Sequence, residues 1–326
     1  RAFPRFSKNA GGVPSTALHM HVSLSFESWT DGERQVKTLV DGLDRWEVHC
    51  ASRLTVTFSD DIESTCLDDA IRLQVVQAPR ALANEKMGVG ACLWDGSIIL
   101  GTYLACQSRH SFIGCGVVEL GAGVGLLSTL LCKLGARKVY ATDLAKVLPL
   151  LQENADVNGC AGEVMEVMAL EWGVDTDHLV RADNLNESFG ASAAGTRDAY
   201  PDLVIASDVT YHDNEASMQP DTVEFVKLCR RLCGPRTEVL IGLERRSGSV
   251  RDAFIAEIRK RFDVVSMVDL RKVRGFPKDL VVDHIDVWRL RLHSTCAKEK
   301  EKKKNQKKEK KKSAENITRD RSAAPL

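Results

Sequence analysis

Apolar residues follow two different patterns along the chain. In the first part, short stretches such as residues 54–58 and 71–75 alternate apolar and polar side chains. This alternation is typical of half-buried antiparallel strands. The sequence therefore predicts an N-terminal antiparallel β extension over residues 18–85, preceded by a disordered lead-in over residues 1–17.

Beyond that extension, short apolar runs alternate with helical segments. The apolar runs cover residues 116–120, 138–142, 164–168, 202–206 and 238–243. The other predicted elements are helices beginning near Gly125, Leu144 and Asp221, a helix over 251–262, and two last strands over 262–268 and 282–290. This rhythm is typical of a parallel sheet wrapped by helices. The predicted fold class is α/β, with a Rossmann-like, doubly wound sheet of seven strands over residues 86–293.

Two long segments lack a core pattern. Residues 174–200 have no apolar periodicity, so they are predicted to be a loop insertion, either at the rim of an active site or disordered. The stretch from Lys298 to Lys312 is overwhelmingly lysine. We therefore expect a disordered lysine-rich tail over residues 294–326, which is either solvated or in weak contact with RNA.

Composition narrows the class of protein. The chain has 326 residues and 44% apolar residues, which suits one large globular domain with additions. Lys plus Arg and Asp plus Glu both number 45, and the basic tail leaves the folded part somewhat acidic. This balance argues against a broad nucleic-acid-binding face.

The cysteines and the apolar runs indicate whether the protein binds a metal and in which cellular compartment it works. Ten cysteines include no CxxC pair, and His19 and His21 lack further ligands, so no metal site is predicted. We find no secretory signal and no apolar run of membrane-spanning length. We therefore expect free thiols in a reducing compartment, the cytoplasm or the nucleus. A monomer is the default expectation for the oligomeric state.

The sharpest motif joins a buried strand to a glycine turn and an apolar helix. It runs Val117-Val118-Glu119-Leu120-Gly121-Ala122-Gly123-Val124-Gly125. Glycine in the turn lets the backbone approach a ligand closely, and the third glycine lets the helix start against the sheet. Asp143 closes the next strand, where a carboxylate can accept hydrogen bonds from both hydroxyls of a ribose.

The same motif favours one cofactor over another. In the dinucleotide fingerprint GxGxxG the third glycine would stand at position 126, which is leucine here. Glu119 also stands two residues before the first glycine, and a diphosphate disfavours a carboxylate nearby. The cationic S-adenosylmethionine tolerates that carboxylate, so the sequence favours S-adenosylmethionine over NAD.

These residues resemble the seven-strand class I methyltransferases. Three further motifs make the resemblance closer to the family 16 protein methyltransferases, which are mostly lysine-specific: Leu93-Trp94-Asp95-Gly96, Leu170-Glu171-Trp172-Gly173, and Ser207-Asp208-Val209-Thr210-Tyr211, which matches the family's DxxY motif. Segments 242–246 and 284–290 are similar to the methyltransferase-like protein twenty-two branch. The resemblance covers roughly residues 85–290.

The resemblance implies a role for each matching residue. Glu119 and the loop of Gly121, Ala122, Gly123 and Gly125 would hold the methionine part of the cofactor, with Trp94 at its end. Asp143 would hold the ribose, Glu171 and Trp172 would flank the adenine, and Ser207 would also face the cofactor. For Trp94 and Trp172 the alternative is core packing.

Asp208 and Tyr211 are the predicted catalytic pair because they follow the fourth strand, at the same sheet edge as the glycine loop. We hypothesise that Asp208 attracts and orients an incoming ammonium and that Tyr211 lines the entry. Lysine has a reference pKa of about 10.4, so it is protonated at neutral pH and must lose a proton before it can accept a methyl group. In this hypothesis the proton goes to water. His212 is a minor candidate base, and a capping role is the alternative for Asp208.

The predicted function is S-adenosylmethionine-dependent methylation of a protein side chain, with the lysine ε-amine of a non-histone protein as acceptor. Histidine is an alternative acceptor. A methyltransferase acting on RNA or a small molecule is a rival, although the turn after the fourth strand lacks the prolines of the (D/N)PP(Y/F) motif. A binding module without catalysis is the second rival.

Overall fold

The computed structural model describes residues 20–30, 33–39, 45–59, 70–83, 88–173, 200–210 and 215–292. The predicted lead-in, all but Tyr200 of the predicted loop insertion, and almost all of the tail lie outside these residues. Tyr211 and His212 also lie outside them. No helix in the described part of the chain combines the length and the apolar run that a membrane crossing requires.

The first four strands form one antiparallel sheet. They are β1 (His21–Thr30), β2 (Glu33–Leu39), β3 (Arg53–Ser59) and β4 (Ile71–Val76), in the order β2-β1-β3-β4. Two short helices accompany them, α1 (Arg45–Cys50) and α2 (Pro79–Ala83). In β3, Leu54, Val56 and Phe58 are buried and alternate with more exposed residues. The predicted antiparallel β extension is therefore confirmed.

The second sheet has seven strands. They are β5 (Gly116–Leu120), β6 (Lys138–Asp143), β7 (Met165–Ala169), β8 (Leu203–Ser207), β9 (Glu238–Glu244), β10 (Val264–Met267) and β11 (Ile285–Arg291), in the order β10-β11-β9-β8-β5-β6-β7. Strands β5 to β9 pair in parallel, whereas β11 runs antiparallel to both its neighbours. The predicted doubly wound, seven-strand sheet is confirmed.

Five longer helices cover this sheet. They are α3 (Asp95–Ala105), α4 (Leu126–Lys133), α5 (Leu148–Val157), α6 (Glu215–Arg231) and α7 (Gly248–Arg261). Every residue of β5 is buried because helices cover both faces of a parallel sheet. The chain order of the strands reverses between β5 and β8, and ligands bind at such a switch point, beyond the carboxyl ends of the strands.

Two asparagines attach the N-terminal sheet to the seven-strand domain: Asn154 on α5 and Asn158, which follows the last residue of that helix. The Asn154 side chain accepts a hydrogen bond from the backbone N–H of Val76 at 2.6 Å and donates one to its carbonyl at 2.9 Å. Asn158 makes the same pair of bonds with Gln74, at 2.9 and 2.7 Å. Residues four apart share a helix face, so both amides reach the outer edge of β4 and take the place of a further strand.

Candidate functional site

A cavity of about 400 Å³ lies at the carboxyl edge of the seven-strand sheet, beside β5 and β8. Its walls come from parts of residues 88–94, 121–124, 143–147, 170–172 and 207–209, together with Ser97. These segments are the turns that follow the four parallel strands β5 to β8, and the residues that lead into the start of α3. A volume of this size suits a small-molecule cofactor, for which pockets of roughly 300–1,000 Å³ are usual.

The glycine turn after β5 forms one wall. Gly121 has a φ of 70°, in the left-handed region that favours glycine. A Cβ atom at this position would lie 2.8 Å from Cγ1 of Val209, which belongs to the turn after β8. Glycine is therefore required both by the backbone conformation and by the close approach of the two turns.

Asp143 is fixed by two backbone amides. Its Oδ2 accepts a hydrogen bond from the N–H of Gly123 at 2.7 Å, and its Oδ1 accepts one from Leu144 at 2.7 Å. Burial raises the pKa of this carboxyl, and the two amides and the charge of Lys146 oppose the rise. Each carboxylate oxygen keeps a second lone pair, so Asp143 can still accept bonds from two hydroxyl groups.

Glu119 lies beneath the cavity and does not line it. Its Oε2 accepts hydrogen bonds from the backbone N–H of Ser128, at 2.8 Å, and from the Ser128 hydroxyl, and only 2% of the residue is exposed. Burial raises the pKa of Glu119 to about 8, against the lowering effect of these bonds. The structure thus differs from the expected contact with the methionine part, because the side chain points at the first turn of α4.

Gly125 is a second predicted cofactor contact that does not line the cavity. A Cβ atom there would lie 2.5 Å from Cδ1 of Leu151. Its role is the close packing of the start of α4 against α5, as expected for the third glycine of the motif.

Asp208 joins three elements at the other side of the cavity. Its Oδ2 accepts a hydrogen bond from the N–H of Gly96 at 3.0 Å, and its Oδ1 accepts one from Glu244 at 3.1 Å. Its own N–H donates to the carbonyl of Gly242 at 3.0 Å. With a φ of 53°, it is the one residue other than glycine in the described ranges with a positive φ. Such strained positions concentrate at functional sites.

The charge of Asp208 depends on its neighbours. Burial raises the pKa of this carboxyl to about 6, and the nearby Glu244 carboxylate adds to the rise. The guanidinium of Arg246 and the two backbone amides oppose it. Asp208 is therefore a carboxylate at neutral pH.

Both predicted indoles reach the cavity. Trp94 donates a hydrogen bond from Nε1 to the carbonyl of Val89 at 2.8 Å, and its ring centroid lies 4.5 Å from that of His49. The ring of Trp172 lies 5.0 Å from that of Phe225, measured between centroids. Each indole thus has one side against protein while the residue also lines the cavity.

Ser207 contributes a hydroxyl that no described residue bonds to. Its Oγ is buried and, among the described residues, has no hydrogen-bond partner. A buried hydroxyl that lacks a partner costs free energy, so its place in the cavity wall indicates a ligand group that bonds to it.

Most predicted site residues therefore come together. The predicted residues that line the cavity are Trp94, Gly121, Ala122, Gly123, Asp143, Glu171, Trp172, Ser207 and Asp208. Tyr211 lies outside the described residues, so its role stays a prediction. In the described ranges, no group of three or more His, Cys, Asp and Glu side chains is placed to hold a metal ion.

Sequence reasoning missed other parts of the wall. Residues 88–90 line the cavity, although the sequence marked them only as the place where the apolar pattern changes. Lys146 and Val147 belong to no motif that the sequence analysis recognised. They line the cavity because they follow β6, at the edge of the sheet where the cavity lies. Arg246 was also missed; its Cζ lies 5.0 Å from the ring centroid of Trp94.

The chain is similar to known methyltransferases. A sequence profile described as lysine methyltransferase matches residues 80–261, more than half of the chain. EEF1A lysine methyltransferase 3 of Xenopus tropicalis is 27% identical over 189 residues, which are 58% of this chain and 73% of that protein.

Two further proteins illustrate the range of the similarity. Human methyltransferase-like protein 22 is 30% identical over 182 residues, which are 53% of this chain but only 42% of that protein. The solved structure of human methyltransferase-like protein 13 in complex with SAH has a TM-score of 0.40 and 15% identity, covering 63% of this chain and 84% of that one.

Proposed function

Because the chain belongs to the lysine methyltransferase family, we propose that it transfers a methyl group from S-adenosylmethionine to the lysine ε-amine of a non-histone protein. The family match confirms the resemblance drawn from the motifs, while the relatives come from more than one branch. The observation that carries the proposal is that Asp208 and the glycine turn, on separate strand ends, line one cavity.

The residues of the cavity fit S-adenosylmethionine. Asp143 offers two lone pairs to the ribose, the Gly121 turn leaves room for the methionine part, and Trp172 offers a ring face to the adenine. The Ser207 hydroxyl, for which the described residues offer no partner, can bond to a polar group of the ligand. When bound, the cofactor supplies a methyl group that a positively charged sulfur makes reactive.

Asp208 attracts and orients the acceptor. Its carboxylate is charged above about pH 6 and is held rigidly by one backbone amide on each oxygen. A carboxyl with this pKa is a poor base for an amine with a reference pKa of about 10.4, so the proton leaves to water. Holding the amine in line with the methyl group supplies the main acceleration, because orientation alone can lower a barrier by about 7–11 kcal/mol.

Location, assembly and the tail belong to the same proposal. All eight cysteines in the described ranges are free thiols, which supports a protein of the cytoplasm or nucleus. We propose that it acts as a monomer, which light scattering of the purified protein tests. The lysine-rich run from 298 to 312 supports weak contact with RNA, and salt-sensitive RNA binding that is lost on removing the tail tests this.

Transfer of labelled methyl groups into a cell extract tests the proposed activity. The wild-type protein is compared with Asp208→Ala, Gly121→Ala and Gly159→Ala. Gly159 has a φ of 61° and open space around a Cβ, so its variant carries the same backbone strain as Gly121→Ala without the clash. We expect label in a discrete protein band, retained by Gly159→Ala and lost in the other two variants. Label in RNA or small molecules, with none in protein, would reject the proposal.

A further inference from the structure

A buried glutamine connects the N-terminal sheet to the wall of the cavity. Gln77 follows the last residue of β4, and only 4% of it is exposed. Its Nε2 donates hydrogen bonds to the carbonyls of Val48 and Ala51, both at 2.7 Å, and its Oε1 accepts one from the N–H of Leu93 at 2.5 Å. The side-chain amide thus binds the carboxyl end of α1 on one side and the backbone next to Trp94 on the other.

The amide of Gln77 is fully used in this position. A glutamine side chain carries two N–H donors on its nitrogen and an acceptor on its oxygen. Here both donors face carbonyls and the oxygen faces an N–H, so the amide fits in one orientation and with both segments in place. Removing it would leave buried backbone groups of both segments without this partner, which costs free energy.

The same two segments meet again at the side chain of Trp94. The imidazole of His49, next to Val48 in α1, lies edge-to-face against the indole, with 4.5 Å between ring centroids and 67° between the ring planes. The thiol of Cys92 donates to the carbonyl of His49 at 3.8 Å, and the indole N–H donates to the carbonyl of Val89 at 2.8 Å. Helix α1 therefore supports both the backbone before Trp94 and its ring.

The two supporting residues precede the part of the chain that matches the lysine methyltransferase profile, which begins at residue 80. Trp94 lies within that match and lines the cavity, whereas Gln77 and His49 do not line it. Any effect of Gln77 and His49 on a ligand in the cavity must therefore pass through the residues that they hold.

We propose that Gln77 and His49 are positioning residues for Trp94, through which the N-terminal sheet shapes the cofactor cavity. The inference rests on one part of the proposed function, the binding of S-adenosylmethionine in this cavity. Gln77 holds the backbone at Leu93 at a set distance from α1, and His49 limits the rotation of the indole. The N-terminal sheet is then a part of the binding site and not a separate module.

The expected effect follows from the population of the binding-competent conformation. If Trp94 occupies its place in only a fraction of the molecules, the apparent affinity for a ligand that contacts it falls by that fraction. Loss of the Gln77 bonds or of the His49 ring should therefore weaken cofactor binding, although the cofactor touches neither side chain.

Isothermal titration calorimetry with S-adenosylmethionine measures this effect without an acceptor protein. We expect the Kd to rise roughly tenfold in Gln77→Met, whose side chain has the same length but makes none of the three hydrogen bonds. His49→Ala should weaken binding several-fold, and His49→Phe, which keeps an aromatic edge against Trp94, should restore most of the affinity. Val56→Ala is the control, because Val56 is buried in β3 of the same sheet and its loss lowers the Tm with the Gln77 and His49 contacts intact. Its Kd should equal that of the wild type.

The double variant Gln77→Met with Trp94→Ala separates positioning from a general loss of stability. If Gln77 acts through Trp94, the double variant should bind no more weakly than Trp94→Ala alone, whereas independent effects on the Kd would multiply. Multiplied effects, an unchanged Kd in Gln77→Met, or an equal rise in Val56→Ala would overturn the inference. If Gln77→Met does not fold, the same cycle is run with His49→Ala.

The wild-type protein distinguishes the two proposals. A wild type that binds S-adenosylmethionine but labels no protein would reject the proposed methylation of lysine, and the titrations would still decide the role of Gln77 and His49. A folded wild type that does not bind S-adenosylmethionine would overturn both.

Discussion

Gly96 lies so close to Asp208 that a Cβ atom at position 96 would stand 2.3 Å from Oδ2 of that carboxylate. The N–H of Gly96 donates to the same oxygen at 3.0 Å, although the two residues are 112 positions apart. The start of α3 therefore fixes the carboxylate that follows β8. This contact gives a physical reason why the motif at 93–96 and the motif at 207–211 belong to one site.

Gly96→Ala should disable the enzyme while leaving it folded. The methyl group would push the Asp208 carboxylate away from both of its amide donors, and a displacement of about 1 Å in such a group costs roughly 100-fold in rate. Steady-state kinetics with the acceptor protein measure the loss in kcat/KM. Gly248→Ala is the matched control, since no atom lies within 4 Å of its Cβ. Equal activities for the two variants would show that the Gly96 contact has no functional role.

The pH dependence of kcat/KM should report the ionisation of Asp208. Burial raises the pKa of this carboxyl to about 6, so it is charged above that value and becomes neutral below it. The amine must also lose its proton, so kcat/KM rises with pH over the whole range; below pH 6 we expect an additional acidic limb, in which kcat/KM falls about tenfold more per pH unit, because the neutral acid no longer attracts an ammonium. Asp208→Asn should be slow and lack this acidic limb. An unchanged limb in Asp208→Asn would assign it to another group.

The stability of the protein should depend on pH through Glu119. Burial raises the pKa of Glu119 to about 8 in the folded protein, above the value of 4.5 for an exposed glutamate. The folded state therefore binds the proton more tightly, and this contribution to stability is complete below about pH 4.5 and is lost as the pH rises through 8. Relative to Glu119→Gln, the wild type should lose on the order of a few kcal/mol between pH 5 and 8.

Urea unfolding of both proteins across this pH range measures the difference in the free energy of unfolding. Glutamine keeps an oxygen that can accept both Ser128 bonds, so the variant preserves the local geometry. In a Ser128→Ala background the loss should continue to higher pH, because the hydroxyl that lowers the pKa is gone. A difference between wild type and Glu119→Gln that does not vary with pH would contradict the prediction.

The asparagine bonds to β4 should contribute measurably to stability. Asn154→Ala removes the partners of the buried N–H and carbonyl of Val76, and each buried polar group left unpaired costs about 1–3 kcal/mol. Asn158→Ala should cost less, since its bonds to Gln74 are only partly buried and water can replace them. Urea unfolding checks the order of the two losses, and a larger loss for Asn158→Ala would refute it.

The fold was predictable because its signals are local. The buried run at 116–120 was predicted with the bounds that β5 has, since the glycine turn ends it sharply. Helix α1, with six residues, was missed because it is too short to show a helical period. The alternation of apolar runs and helices permits only a few strand orders, but it does not by itself select one of them.

The site was only partly predictable, because side-chain direction and long-range contacts have no local signal. In β5 both faces are buried, so the sequence does not indicate which face Glu119 occupies, and the carboxylate points at Ser128. The contact between Arg246 and Trp94 joins distant parts of the chain. Neither residue type nor spacing predicts such a contact.

The nature of the methylated residue tests the central claim most directly. The acceptor protein labelled by the wild-type enzyme is isolated, hydrolysed to amino acids and analysed by mass spectrometry. We predict that the label is found in Nε-methylated lysine and is absent when Asp208→Ala or Gly121→Ala replaces the wild type. Label in histidine or in nucleic acid, or lysine methylation that persists in both variants, would contradict the assignment of this cavity to protein-lysine methylation.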